Sequence, residues 1–104
     1  MPLIPPTKQT LARYGLSMEE WEAMAAAQDH KCFICQKEPK KGKLCIDHYH
    51  QPKWKSLPAD QRKLFVRCLL CWFCNHYYLS RGITIAKAKR VVECLEQFES
   101  RRPK

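Results

Sequence analysis

The sequence predicts a small α+β domain, mostly helical, in which a metal-stapled unit of two strands and a helix is flanked by further helices. Three observations predict it. Two CxxC pairs, Cys32-Phe33-Ile34-Cys35 and Cys71-Trp72-Phe73-Cys74, enclose 35 residues. An Ile46-Asp47-His48-Tyr49-His50 stretch lies between them and alternates as a strand does. Helical signals with identifiable caps stand on either side.

Tetrahedral zinc takes four soft ligands, and two CxxC turns supply them. A zinc ribbon or finger spaces its pairs by roughly 12 to 20 residues. The longer gap here implies that the enclosed chain is itself structured, so the zinc reads as a clamp closing a unit at residues 32–79. The plainer alternative is a zinc-binding recognition module in which Asp47, His48 and His50 are incidental.

Taken in order, residues 1–8 are Pro-rich and expected to fray. Leu11-Ala12-Arg13-Tyr14 suits a short helix stopped at Gly15. Ser17-Met18-Glu19-Glu20 is a capping box, with Leu16 and Trp21 as its hydrophobic staple, opening a helix to about Gln28. Trp21, Met24 and Ala25 share one face and are expected in the core. After the first CxxC, the basic turn 37–43 is either a solvated loop or a phosphate contact. Leu44 to His48 forms the first strand. Residues 51–63 are a polar connection in which Ser56 can cap a short helix near Pro58. Leu64 to Leu70 returns as a second, antiparallel strand, and a short helix starts near Asn75. Thr84 caps a last helix, about residues 84–99, whose face of Ile85, Ala88, Val91, Val92, Leu95 and Phe98 needs a partner surface.

The 104 residues form one domain, 1–104, too short for a large core, which makes a metal staple physically useful. Nineteen Lys and Arg against 10 Asp and Glu give a net charge of +9. That excess favours a polyanionic partner, nucleic acid first. No apolar run approaches a membrane span of roughly 18 residues. The N-terminal stretch lacks a charged segment followed by an apolar core, so no secretory signal is expected. With seven cysteines and no export signal, metal binding in a reducing cytoplasm is the expected use of the thiols.

A strand ending in Asp-His, a return strand and a helix make a ββα-metal unit. Phosphodiester hydrolysis needs a base for water, a cation on the phosphate, and a proton for the leaving oxygen. His48 suits the base, since neutral imidazole is available near pH 7. Asp47 is a hard oxygen ligand suited to Mg²⁺. Asn75, held beside the second zinc turn, can supply another oxygen. Zinc would be structural, and magnesium or manganese catalytic. Lys43, Lys53, Lys55, Arg62, Lys63 and Arg67 are the candidate DNA contacts.

These residues resemble the recombination endonuclease VII group of phage-type enzymes, within the wider His-Me finger or HNH nucleases. The resemblance is carried by Arg13-Tyr14-Gly15-Leu16, Ala26-Ala27-Gln28, the first CxxC, Ile46-Asp47-His48-Tyr49-His50, Val66-Arg67-Cys68-Leu69-Leu70-Cys71 and Cys74-Asn75. It implies zinc on Cys32, Cys35, Cys71 and Cys74, and a catalytic ion on Asp47 and Asn75. His48 would be the general base and His50 would contact the scissile phosphate, while strand alternation, which puts His50 on the same face as His48, also makes it the rival base. It also implies DNA as partner, a possible homodimer, and a bacterial or phage-infected cytoplasm.

Tyr49, Cys68 and the long 51–63 connection depart from the family pattern. Cys68-x2-Cys71 is also a CxxC, and the pairing of Cys71 with Cys74 is preferred because Asn75 then adjoins the metal turn. Cys45, Cys68 and Cys94 are expected as small packing residues. Phe73 is expected to pack, whereas Trp54 and Trp72 can either pack or stack on bases. A function of another class is a zinc-stabilised DNA-binding module without turnover, and a toxin or homing-type nuclease would use the same chemistry.

Overall fold

The computed structural model describes residues 3–103. Helices α1 (Lys8–Tyr14) and α2 (Met18–Ala27) precede strand β1 (Cys45–His48). A 3-10 turn at Trp54–Ser56, a short α3 (Ala59–Arg62) and a second 3-10 turn at Lys63–Phe65 lead into strand β2 (Val66–Leu70). One turn, α4 (Trp72–Cys74), runs into a π-helical stretch, Asn75–Leu79, and α5 (Ile85–Glu99) ends the chain.

The caps explain where the helices begin and stop. Thr7 accepts from the Thr10 N–H at 3.2 Å and starts α1. Gly15, at φ 70°, lets its own N–H and that of Leu16 return to the α1 carbonyls. A Cβ on Gly15 would come within 2.0 Å of the Ala59 carbonyl oxygen, so glycine is required both by the turn and by the approach of α3. The capping box opens α2: Ser17 Oγ accepts from the Glu20 N–H at 3.1 Å, and Glu20 accepts from the Ser17 N–H at 2.9 Å. Thr84 accepts from the Lys87 N–H and opens α5.

The core forms between α1, α2 and the sheet. Leu11, Trp21, Ala25, Ile46 and Leu69 are buried together, with Met24, Leu16 and Leu44 packed against them. Gln28 ties α2 to β2, giving its amide to the Leu69 carbonyl and taking the Leu69 N–H, both at 2.9 Å. The Pro-rich start is anchored where fraying was expected. Leu3 packs on the core, and the Ile4 N–H donates to Gly42 at 2.7 Å; residues 1–2 lie outside the described ones.

Three local expectations are corrected. Leu64 and Phe65 belong to a 3-10 turn and not to the return strand. Ser56 does not cap α3; Pro58 stands there, while the Ser56 hydroxyl bonds the Lys53 carbonyl at 2.7 Å. Phe73 is exposed, lying against Tyr77 with ring centres 4.7 Å apart.

Helix α5 buries no residue, and Ile85 and Leu95 are 77 % and 64 % exposed. It stands away from the core, and Cys94 on it is exposed too. The radius of gyration is 16.2 Å. A compact chain of about 100 residues has about 13 Å.

Candidate active site and metal centre

Cys32, Cys35, Cys71 and Cys74 bring their four sulfur atoms within 4.8 Å of one another. Tetrahedral zinc at about 2.3 Å per Zn–S bond has S···S edges of about 3.8 Å. The Cys35 and Cys71 sulfurs, 3.9 Å apart, are already at that spacing. The two turns meet because the Phe33 N–H donates to the Leu69 carbonyl at 3.1 Å, laying the first CxxC along β2. Burial would raise the Cys32 thiol, but backbone N–H groups of Cys71, Cys35 and Ile34 outweigh it and bring it down to about 7. Burial and the neighbouring thiols push Cys74 up. Four crowded thiols of this kind lose their protons together with the arrival of a cation. The cysteine set fits a structural zinc.

The strands pair antiparallel, Cys45 with Leu70, Ile46 with Leu69 and Asp47 with Cys68; His48 then pairs with Val66. Arg67 is therefore the extra residue of a β-bulge, and a bulge re-aims side chains beside it. Arg67 turns onto Asp47. Its Nε donates to Oδ2 at 2.7 Å and its Nη2 to Oδ1 at 3.0 Å. Asp47 is 2 % exposed, and the Cys68 thiol adds a third contact at 3.8 Å. The guanidinium also lies 5.0 Å above the Tyr49 ring. Arg67, expected as a DNA contact, is thus committed to the carboxylate.

His48 closes β1 and sits among rings. Trp54 stacks on it with centres 4.3 Å apart and planes at 23°. Tyr14 meets it edge-on at 5.6 Å, and the His50 ring runs parallel at 5.7 Å. Burial first, and then His50, lower the His48 pKa; Arg67 adds to this and Asp47 opposes it. The lowered pKa favours the neutral imidazole, the form able to accept a proton.

Asn75 follows the zinc turn at the start of the π-helical stretch, where the Ser80 N–H reaches its backbone carbonyl at 2.8 Å. Such stretches are rare and often mark functional positions. The Asn75 carboxamide makes no hydrogen bond among the described residues. Carboxylate and amide oxygens are ligand types that hard divalent ions accept, but among the described residues the one cluster of three or more Cys, His, Asp or Glu ligands is the four cysteines. His76 stacks on the exposed Trp72, with centres 4.6 Å apart.

The expected DNA contacts divide into two groups. Lys43, Lys53 and Lys55 are exposed, and no ion pair among the described residues holds them. Arg62 serves the fold instead, since its Nη1 donates to the Leu57 carbonyl at 2.8 Å and its Nη2 to the Ala12 carbonyl at 3.1 Å. Lys63 pairs with Glu20 at 3.2 Å. Sequence reasoning missed the brace made by Gln28 and the Arg67–Asp47 pair. Both depend on pairings between distant segments that carry no local signature.

Fold and site together define a small α+β unit with a four-cysteine cluster suited to zinc and an Asp-His pair at a bulged strand end. The chain belongs to the recombination endonuclease VII family, whose model matches residues 7–98. It is similar to the Gene 59 protein of Mycobacterium phage D29, 37% identical over 70 residues, covering 66% of this chain and 36% of that protein. The Gene 59 protein of Mycobacterium phage L5 is 36% identical over 70 residues, with the same coverage of 66% and 36%. The chain thus spans about a third of the length of these curated relatives. No solved structure matches it. No helix among the described residues is long and apolar enough to cross a membrane.

Proposed function

We propose that the chain is a divalent-metal-dependent DNA endonuclease built on a ββα-metal, or His-Me finger, unit, acting in phage-type DNA recombination in the host cytoplasm. The observation that carries the reading is the family match, whose span contains Asp47, His48, Asn75 and all four clustered cysteines. The neutral, half-buried His48 adjoining a buried carboxylate supports it.

In this reading Cys32, Cys35, Cys71 and Cys74 hold structural zinc. Asp47 and Asn75 would hold Mg²⁺ or Mn²⁺, and a divalent ion there supplies positive charge to the phosphate in the transition state. His48 accepts the proton of the attacking water, and the ring stack keeps its imidazole beside the carboxylate. His50, whose ring runs parallel to it, would contact the scissile phosphate. Lys43, Lys53 and Lys55 hold the DNA backbone. The uncovered face of α5 serves a homodimer.

One observation favours a second reading, a zinc-stabilised DNA-binding module without turnover: Arg67 saturates both oxygens of Asp47. Cleavage of supercoiled, linear and four-way-junction DNA in Mg²⁺ and in EDTA separates the two. Cutting in Mg²⁺ that EDTA abolishes is expected, and binding without cutting would establish the module.

A further inference from the structure

A general base is commonly aimed by a third group that hydrogen-bonds its second nitrogen. Among the described residues, the imidazole of His48 makes no hydrogen bond. Its surroundings are rings instead. The indole of Trp54 lies 4.3 Å away, nearly parallel, and Tyr14 touches both, 5.6 Å from His48 and 5.4 Å from Trp54.

Trp54 is itself held on several sides. It is 6 % exposed, its Nε1–H reaches the Arg62 carbonyl at 3.4 Å, and its backbone N–H reaches Gln51 at 3.1 Å. Arg62 then fastens this connection to α1, which carries Tyr14, through the Ala12 carbonyl at 3.1 Å. Ala12, Tyr14, Trp54 and Arg62, with His48 in the wall, line a cleft of about 730 Å³. The long connection between the strands thus folds back over the histidine and ties itself to the first helix.

We propose that Trp54 is a positioning residue for His48: its indole fixes the imidazole plane, and the 51–65 connection exists to build that slot. This rests on the reading of His48 as the general base. A tryptophan that merely fills space would be replaceable by any apolar side chain of fair size. One that orients a ring is replaceable only by another ring. Misplacing a reacting group by about 1 Å can cost about 100-fold in rate.

The test compares Trp54→Leu, which fills space without a ring, with Trp54→Phe, which keeps one. His48→Ala, and His48→Gly with added imidazole, serve as controls. Single-turnover cleavage of supercoiled DNA in Mg²⁺ is measured with DNA affinity and zinc content alongside. Trp54→Leu is expected to cut about 10- to 100-fold more slowly, with affinity and zinc unchanged, while Trp54→Phe stays close to the parent. Imidazole should restore cutting to His48→Gly and fail to do so in the His48→Gly, Trp54→Leu double variant. Trp54→Leu cutting at the parental rate, a Phe variant as slow as the Leu variant, or equal imidazole rescue with and without Trp54 would overturn the proposal. A fully active His48→Ala would instead remove the reading of His48 on which it rests.

Discussion

Arg67 holds both carboxylate oxygens of Asp47, at 2.7 and 3.0 Å, from the extra position of a β-bulge. The pair neutralises a charge that is otherwise buried, and it puts a cation where the proposed catalytic ion would bind. Arg67→Gln should therefore bind Mn²⁺ more tightly than the parent, read by calorimetry without DNA. It should also melt lower, because breaking a buried pair costs about 3 kcal/mol or more, and added Mn²⁺ should recover much of that loss. Mn²⁺ affinity that is unchanged or weaker would show that Asp47 is not the ion's ligand.

Zinc should be present at one per chain. Cys71→Ser is expected to unfold the domain, because structural zinc contributes folding energy directly. Cys68→Ser should keep its metal, since the Cys68 thiol is directed to Asp47 and lies outside the four-sulfur cluster. Metal analysis showing zinc lost from the Cys68 variant and kept in Cys74→Ser would reverse the assignment.

DNA affinity should fall steeply with salt, as expected of a chain with net charge +9. Alanine at Lys43, Lys53 or Lys55 should each lower the slope of log affinity against log salt by about 1. Arg62→Ala should act on thermal stability, because its guanidinium binds backbone carbonyls. An affinity that stays flat from low to moderate salt would remove the electrostatic basis of the DNA assignment.

The apolar face of α5 should pair two chains. Light scattering is expected to give a dimer mass for the parent and a monomer mass after Leu95→Asp, whose site is 64 % exposed in the single chain. A monomeric parent at working concentrations would exclude the dimer, and with it simultaneous cutting of two strands.

The sequence made the locally encoded features legible. The capping box at Ser17 and Glu20, the Thr84 cap and the Gly15 stop lie where their short-range chemistry requires. The four cysteines converge as their spacing implied. What stayed hidden depends on register and on packing between distant segments. Nothing near Arg67 in sequence announces that the strands slip by one residue and turn it onto Asp47. Trp54 looked equally fit for stacking on bases, and only the fold of residues 51–65 seats it on His48. The apolar stripe on α5 was visible, but its partner surface is not within the described residues.

The most direct measurement is single-turnover DNA cleavage by His48→Ala and His50→Ala beside the parent, followed across pH, with DNA affinity and zinc content checked for each. His48→Ala should lose on the order of 10² to 10⁴ in rate, the usual worth of a positioned base, with binding and zinc intact. Because burial lowers the His48 pKa from the ordinary value of about 6.5, the neutral base predominates at that pH. Parental activity should accordingly persist at pH 6.5 and decline only as the pH falls further and the imidazole takes up a proton. Near-parental cutting by His48→Ala with a dead His50→Ala would exchange the two roles. Near-parental cutting by both variants would contradict the nuclease assignment of this site.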